Sequence, residues 1–268
     1  MLIGGLQKFS LLDYPEKISA IVFTKGCNFR CQFCYNPMLV WPASAKATAG
    51  KPTRAVAEAI VGKSRYAIRQ QKVHPEIKED DFFVFLRSRA GKLDAVAITG
   101  GEPCLQKDLP KFMAKIKKLG FLVKLDTNGG YPETLEKLTS PQPSPSKGEG
   151  IRLIDYLAMD LKAPAEKYEA VAGAGADFEK IKKSVKIIMA SGLPYEFRTT
   201  VVPGLLNKDD IGQMGKIIAG AHKWYLQGFK SGVDLVNQDL KGRVPYNLRQ
   251  MQEMAEIGKK YVKICEVR

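Results

Sequence analysis

The 268-residue chain is longer than one typical domain and shorter than two, a size that single α/β barrels routinely reach, and it can bury roughly three quarters of its unfolded surface without disulfides. An apolar share of 45% with 26% charged residues is that of an ordinary globular protein and excludes disorder as the dominant state. Lys and Arg number 42 against 28 Asp and Glu, and the net charge of +14 suits nucleic acid, an acidic partner protein or an anionic cofactor without choosing among them.

From the N-terminus, Met1 to Asp13 interrupts its few apolar residues with Gln7, Lys8 and Asp13, so it forms no signal-peptide core. No apolar run approaches the roughly 18 residues of a membrane span, and the expected location is the cytoplasm with no membrane partner. The β-branched run Ile18 to Thr24 predicts the first strand. Thr53 to Gln71 predicts a helix, with Thr53 as its N-cap and apolar residues recurring about every 3.6 positions. Asp94 to Thr99 predicts the second strand, and Leu109 to Leu119 a lysine-rich helix stopped by Gly120. Further strands follow at Leu122 to Thr127, Tyr156 to Leu161, Glu196 to Val202 and Trp224 to Phe229. Helices at Asp177 to Ala190 and Asp209 to Ala221 separate the later ones, and Asn247 to Lys260 closes the helices before a short terminal strand within Tyr261 to Val267. Such alternation predicts βα units around a parallel sheet in one domain spanning residues 1–268.

Ser140 to Gly150, rich in proline, serine and glycine, breaks the rhythm and predicts a low-complexity loop insertion at 140–150. A helix-to-strand connection lies on the N-terminal face of a βα barrel, away from the face that carries chemistry, so this loop is expected to have no catalytic part.

Five cysteines include three within eight residues, Cys27, Cys31 and Cys34, directly after the first strand; Cys104 and Cys265 stand far downstream. Disulfides are not expected in a reducing compartment, and a clustered metal site is the better reading. Thiolates suit zinc or iron and sulfide. Structural zinc wants four protein ligands, yet the chain has only His74 and His222 as histidines and neither is near in sequence. A cubane cluster normally takes four cysteines as well, so three thiolates imply one iron open to a group that is not protein.

The pattern Cys27-x3-Cys31-x2-Cys34, with Phe33 before the last cysteine, resembles the cluster loop of the radical S-adenosylmethionine (SAM) enzymes. Gly100-Gly101-Glu102-Pro103 resembles the GGEP segment of that superfamily. Asp126-Thr127-Asn128-Gly129, Asp160-Leu161-Lys162 and Arg198 ahead of Val201-Val202-Pro203-Gly204 are similar to the branch that activates glycyl radical enzymes. The opening stretch Gly4 to Pro15 resembles the start of the activating proteins of anaerobic ribonucleoside-triphosphate reductase.

This resemblance implies a partial (β/α)6 TIM-like barrel of the radical SAM type. It implies a [4Fe-4S] cluster on Cys27, Cys31 and Cys34 whose open iron is chelated by SAM, and reductive cleavage of SAM to make a radical that takes hydrogen from a glycine Cα of a partner. Iron-sulfur potentials reach roughly −700 mV, the regime such a reduction needs. By the same resemblance Phe33, Gly100, Gly101, Glu102, Asp126, Asn128, Asp160, Lys162 and Arg198 line the SAM site, with Gly100, Gly101 and Glu102 receiving the amino group. Lys162 and Arg198 are the cations expected against the carboxylate and adenosyl groups. A monovalent cation beside Asp126 and Asp160 is implied for some members. The implied partners are a glycyl radical enzyme, anaerobic ribonucleoside-triphosphate reductase first, and a flavodoxin- or ferredoxin-type electron donor.

Two departures narrow the branch. Gln227 stands where pyruvate formate-lyase activating enzymes tend to carry histidine, and no cysteine lies between Cys34 and Cys104 to hold the two additional ferredoxin-type clusters of other activases. The alternatives are an activase of another glycyl radical enzyme, a radical SAM enzyme acting on a small molecule or RNA, and a metal-binding protein without catalysis. The lack of an aromatic-rich RNA-recognition motif argues against nucleic acid as partner. Cys104 and Cys265 are expected as buried core residues, His74 and His222 at the surface, and Lys180, Lys182, Lys183 and Lys186 on a solvated helix face.

Overall fold

The computed structural model describes residues 1–40, 76–141, 152–173 and 175–268. The helix expected over Thr53 to Gln71, His74 and nearly all of the 140–150 insertion lie outside the described residues.

All named strands join one sheet in chain order. β1 (Ile3–Ser10) runs antiparallel to β2 (Ser19–Thr24), and β3 (Ala95–Gly100), β4 (Leu122–Thr127), β5 (Tyr156–Asp160), β6 (Tyr195–Val201), β7 (Lys223–Gly228) and β8 (Ile264–Val267) follow, each parallel to its predecessor. The order starts at β1 and ends at β8, so the barrel is partial, with six consecutive parallel strands, β2 to β7, at its centre. Between them run α1 (Pro37–Val40), α2 (Glu79–Arg87), α3 (Leu109–Lys118), α4 (Pro132–Thr139), α5 (Tyr168–Ala172), α6 (Phe178–Ala190), α7 (Lys208–Ile217) and α8 (Leu248–Gly258). The predicted strands fall within a residue or so of these bounds, apart from the terminal one, which starts three residues later. β1, α1, α2 and α5 are additions the periodicity did not disclose. β1 reads Ile-Gly-Gly-Leu-Gln-Lys-Phe-Ser, whose paired glycines and weak alternation hide a strand that pairing with β2 creates.

The central strands are buried on both faces, as parallel strands flanked by helices must be. One face packs on helices: Trp224 of β7 is wholly buried and satisfies its indole by donating from Nε1 to Thr199 Oγ1 at 2.9 Å. Helix starts follow local chemistry. Asn207 and Asn247 cap α7 and α8 in reciprocal capping boxes with Asp210 and Gln250, and Asp177 accepts from Glu179 N at the start of α6.

The opposite strand face points inward and is where polar residues collect. On β4 it carries Lys124 and Asp126, on β5 Tyr156, Ala158 and Asp160, and on β6 Glu196 and Arg198. At the N-terminal end of the strands this interior is plugged by Tyr14, Ala95 and Tyr156, with the Tyr14 and Tyr156 rings 5.8 Å apart. Chemistry is therefore directed to the C-terminal end, where the βα loops emerge.

Candidate active site

The segment 25–36 leaves β2 and carries Cys27, Cys31 and Cys34. Its path is held by backbone bonds to neighbours: Gly26 N donates to Leu39 O at 2.7 Å, Arg30 N to Ala172 O at 2.8 Å and Gln32 N to Val171 O at 3.1 Å. The carbonyls of α5, left without partners inside so short a helix, thus find their donors in this loop. Gly173 follows α5 at φ +86°, and a Cβ there would come within 2.7 Å of Arg30 Cβ. From the far side Asn237 donates through its backbone N to Gln32 O and through Nδ2 to Gln32 Oε1, both at 2.8 Å. Within the loop, Arg30 Nη1 donates to Cys27 O at 2.7 Å and Phe29 O at 2.8 Å, and Cys34 N to Cys31 O at 3.1 Å. Phe29 sits edge-on against Tyr168, and buried Phe33 lies 5.6 Å from Lys162 Nζ.

Burial pushes the Cys27 thiol up to about 12 and the Cys31 thiol up to about 11, and raises Cys34. Such thiols hold their protons until a bound cation's charge displaces them. Among the described residues no three His, Cys, Asp or Glu side chains converge as the ligands of one metal ion do. Three buried or half-buried thiols on one pinned loop are the soft donor set that an iron-sulfur cluster would take. Cys104 is buried behind the turn that follows β3, close to Glu102 and Thr127, and Cys265 is buried against Gly258 of α8.

The turn after β3 lies directly on this loop. Gly101 N donates to Thr24 O and Glu102 N to Gly26 O, both at 2.8 Å. Gly100 has φ +110°, and a Cβ on Gly101 would stand 2.0 Å from Gly26 O, so only glycine permits this backbone-to-backbone approach. Glu102 turns its side chain into the fold. Its carboxylate is 0% exposed and accepts from Cys104 N at 2.9 Å, Thr127 Oγ1 at 2.8 Å and Asn128 N at 2.7 Å. Burial raises its pKa, and these donors offset part of the rise. The side chain clamps two turns together, with Oε1 accepting two of these donors and Oε2 the third.

Asn128 follows β4 directly and has its side chain on the cysteine loop: Nδ2 donates to Asn28 Oδ1 at 2.9 Å and lies 3.6 Å from Cys27 Sγ. Below it an ionic ladder crosses three strands. Lys124 donates to Asp126, Arg198 Nη1 to Asp126 Oδ2 at 2.9 Å, Arg198 Nε to Asp160 Oδ1 at 2.9 Å, and Lys162 Nζ to Asp160 Oδ2 at 2.9 Å. Register explains the reach. Asp160 is paired with Arg198, while Asp126 is paired with Ala158, whose methyl leaves room for the guanidinium to pass over β5.

Burial alone would raise both carboxyls, but Arg198 with Lys162 holds Asp160 far below the usual carboxylate range, and Arg198 with Lys124 lowers Asp126. Three cations against two carboxylates leave one positive charge in excess, which suits an anionic ligand group. Asp126 and Asp160, the acidic residues expected beside a monovalent cation, each face cationic side chains.

The structure thus brings Cys27, Cys31, Cys34, Phe33, Gly100, Gly101, Glu102, Asp126, Asn128, Asp160, Lys162 and Arg198 to one end of the sheet. Three participants escaped the sequence reading: Asn28, Arg30 and Lys124. Only Lys124 left a legible trace, two residues before Asp126 and therefore on the same strand face. Gln227 lies near the end of β7 opposite Thr200, His222 is exposed, and the α6 lysines are exposed, with Lys182 on Glu179 and Lys183 on Glu133.

Comparison with known proteins places this geometry. Residues 21–214 match the model of the Radical SAM superfamily. A candidate glycyl-radical enzyme activating enzyme of Methanocaldococcus jannaschii is 31% identical over 266 residues, covering 97% of this chain and 93% of that protein. A pyruvate formate-lyase-activating enzyme of Streptococcus mutans is 26% identical over 229 residues, 81% of this chain and 72% of that one. In fold, the chain is similar to Streptococcus suis SuiB bound to S-adenosylmethionine, with a TM-score of 0.56 and 12% identity over 91% of this chain and 48% of that one.

Proposed function

The chain belongs to the radical SAM superfamily, in its glycyl-radical-enzyme activating branch, and from that premise we propose that it installs the glycyl radical of an anaerobic ribonucleoside-triphosphate reductase. It is an enzyme, and the cofactors of its superfamily are a [4Fe-4S] cluster and SAM. The coarser reading, a glycyl radical enzyme as the partner, rests on the relative aligned over nearly its whole length. The finer one is supported by the opening stretch Gly4 to Pro15 and by the lack of cysteines between Cys34 and Cys104 that would hold further clusters.

The observation that carries the site assignment is the juxtaposition of three thiols on one pinned loop with a ladder of three cations and two carboxylates. In this reading Cys27, Cys31 and Cys34 hold the cluster. When bound, the cluster and SAM supply one-electron reduction and a carbon-centred radical able to take hydrogen from a glycine Cα. The chain's own residues bind and orient. Arg198, with a planar guanidinium locked between two carboxylates, and Lys162, beside the cysteine loop, meet the anionic end of SAM. Gly100 and Gly101 expose main chain to its amino group, and Phe33 packs against the loop. Asp126 and Asp160 fix the Arg198 guanidinium so that little reorganisation accompanies binding.

An electron donor of flavodoxin or ferredoxin type and a cytoplasmic location belong to the same proposal. No helix among the described residues is long and apolar enough to cross a membrane. The similarity to a pyruvate formate-lyase-activating enzyme favours, as a second reading, activation of another glycyl radical enzyme. The test is to mix the reduced, reconstituted protein and SAM without air with the ribonucleotide reductase from the same source. A glycyl-radical doublet in electron paramagnetic resonance is expected. A doublet only with a different glycyl radical enzyme selects the second reading, and none with any, while a small molecule or RNA stimulates SAM consumption, overturns both.

A further inference from the structure

We propose that Asn128 is a positioning residue for the cluster, donating from its side-chain amide to Cys27 Sγ and so shifting the cluster's reduction potential upward. The inference rests on the reading that Cys27 is a cluster ligand.

The orientation of the Asn128 amide is determined by its neighbours. Gly130 N donates to Asn128 Oδ1 at 2.8 Å, which identifies that atom as oxygen and turns the NH2 group toward the cysteine loop. There one hydrogen meets Asn28 Oδ1 at 2.9 Å, and the other faces Cys27 Sγ at 3.6 Å, within the longer reach of a bond to sulfur. Both hydrogens are therefore used, and the side chain has no other well-bonded pose. Gly130 makes room for this arrangement, since a Cβ there would fall 2.4 Å from Asn28 Nδ2 and 3.0 Å from Asn128 Oδ1. The backbone of Asn128 is tied to buried Glu102, and the carbonyl of Gly129 accepts from Ser184 Oγ at 2.7 Å. The donor is thus mounted on rigid structure from β3, β4 and α6. With Asn128 only 7% exposed, water competes poorly for the bond.

The physical consequence concerns the electron. Reduction adds a negative charge that spreads onto the cluster's sulfur ligands, and a donor facing such a sulfur stabilises the reduced state more than the oxidised one. Phe29 N donates to the same Sγ at 3.4 Å, but as a backbone group of the loop it moves with the ligand. Asn128 belongs to the turn after β4, a segment remote in sequence from the cysteine loop, so its distance to Cys27 is set by the barrel. An aspartate at 128 keeps the shape but turns an acceptor and a negative charge on the thiolate, and alanine removes the donor without adding charge.

The test uses reconstituted wild type, Asn128→Asp and Asn128→Ala, each assayed for iron and sulfide and then titrated potentiometrically with the reduced cluster followed by electron paramagnetic resonance. The expected result is wild-type iron content in the variants with midpoints moved negative. At a fixed potential the reduced-to-oxidised ratio should fall at least threefold, more in Asn128→Asp than in Asn128→Ala, a tenfold fall being 59 mV for one electron. If Asn128→Asp does not load, Asn128→Ala alone decides by the same criterion. Loaded variants with the wild-type midpoint overturn the inference, and so does loss of iron from both, which would leave Asn128 a purely structural role. A wild-type protein that binds no iron fails the underlying cluster reading instead, which separates the two failures.

Discussion

The carboxylate of Glu102 accepts the backbone N–H of Asn128 at 2.7 Å, so the turns after β3 and β4 share one buried anion. Because the same carboxylate also takes Cys104 N and Thr127 Oγ1, replacing it leaves buried donors unsatisfied. Glu102→Gln keeps the volume but sets an NH2 against these donors. Its cost is expected at about 1–3 kcal/mol of stability, read as a lower urea midpoint of the metal-free protein with an unchanged slope. An unaltered midpoint would show that the clamp contributes nothing.

The ladder sets an acid limit. Asp126 and Asp160 have folded pKa values below their unfolded ones, so in acid the unfolded chain binds more protons and stability falls with pH. The contribution is complete above the unfolded value of about 3.9 and is lost as pH drops from there through the folded values. The urea midpoint of the metal-free wild type should therefore fall between about pH 5 and about pH 3, and Arg198→Gln should reduce that fall. Equal losses in the two proteins would place the acid sensitivity elsewhere.

The cysteines divide into two groups. Alanine at Cys27, Cys31 or Cys34 removes a thiol of the pinned loop and is expected to abolish binding of about four irons per chain and SAM cleavage with it. Cys104→Ala and Cys265→Ala alter buried core positions and should retain both. Iron and sulfide assays together with 5′-deoxyadenosine release check this, and loss of iron in Cys104→Ala would move the ligand set.

Much of the site was legible because its groups are close in sequence. Cys27, Cys31 and Cys34 declare themselves by spacing, and Gly100 and Gly101 by the loss of side chains at a strand end. Lys162 follows Asp160 by two residues and lies on it in space. Lys124 stands in the same relation to Asp126, yet a lysine inside a strand reads as solvent-facing until the interior of the barrel is known to be polar. Arg30 and Asn28 read as loop residues, and nothing local marks the bonds they make.

The sequence by itself determined the order of the six central parallel strands and of the helices between the later ones, because side-chain period and turn chemistry act over a few residues, and it determined the three-thiol loop for the same reason. The tertiary structure alone decided what each polar group is spent on. Glu102 meets Asn128 across 26 positions and Arg198 meets Asp126 across 72. Both meetings depend on strand register, and the second also on the small Ala158 beside Asp126, relationships that exist only once the sheet has assembled around its interior.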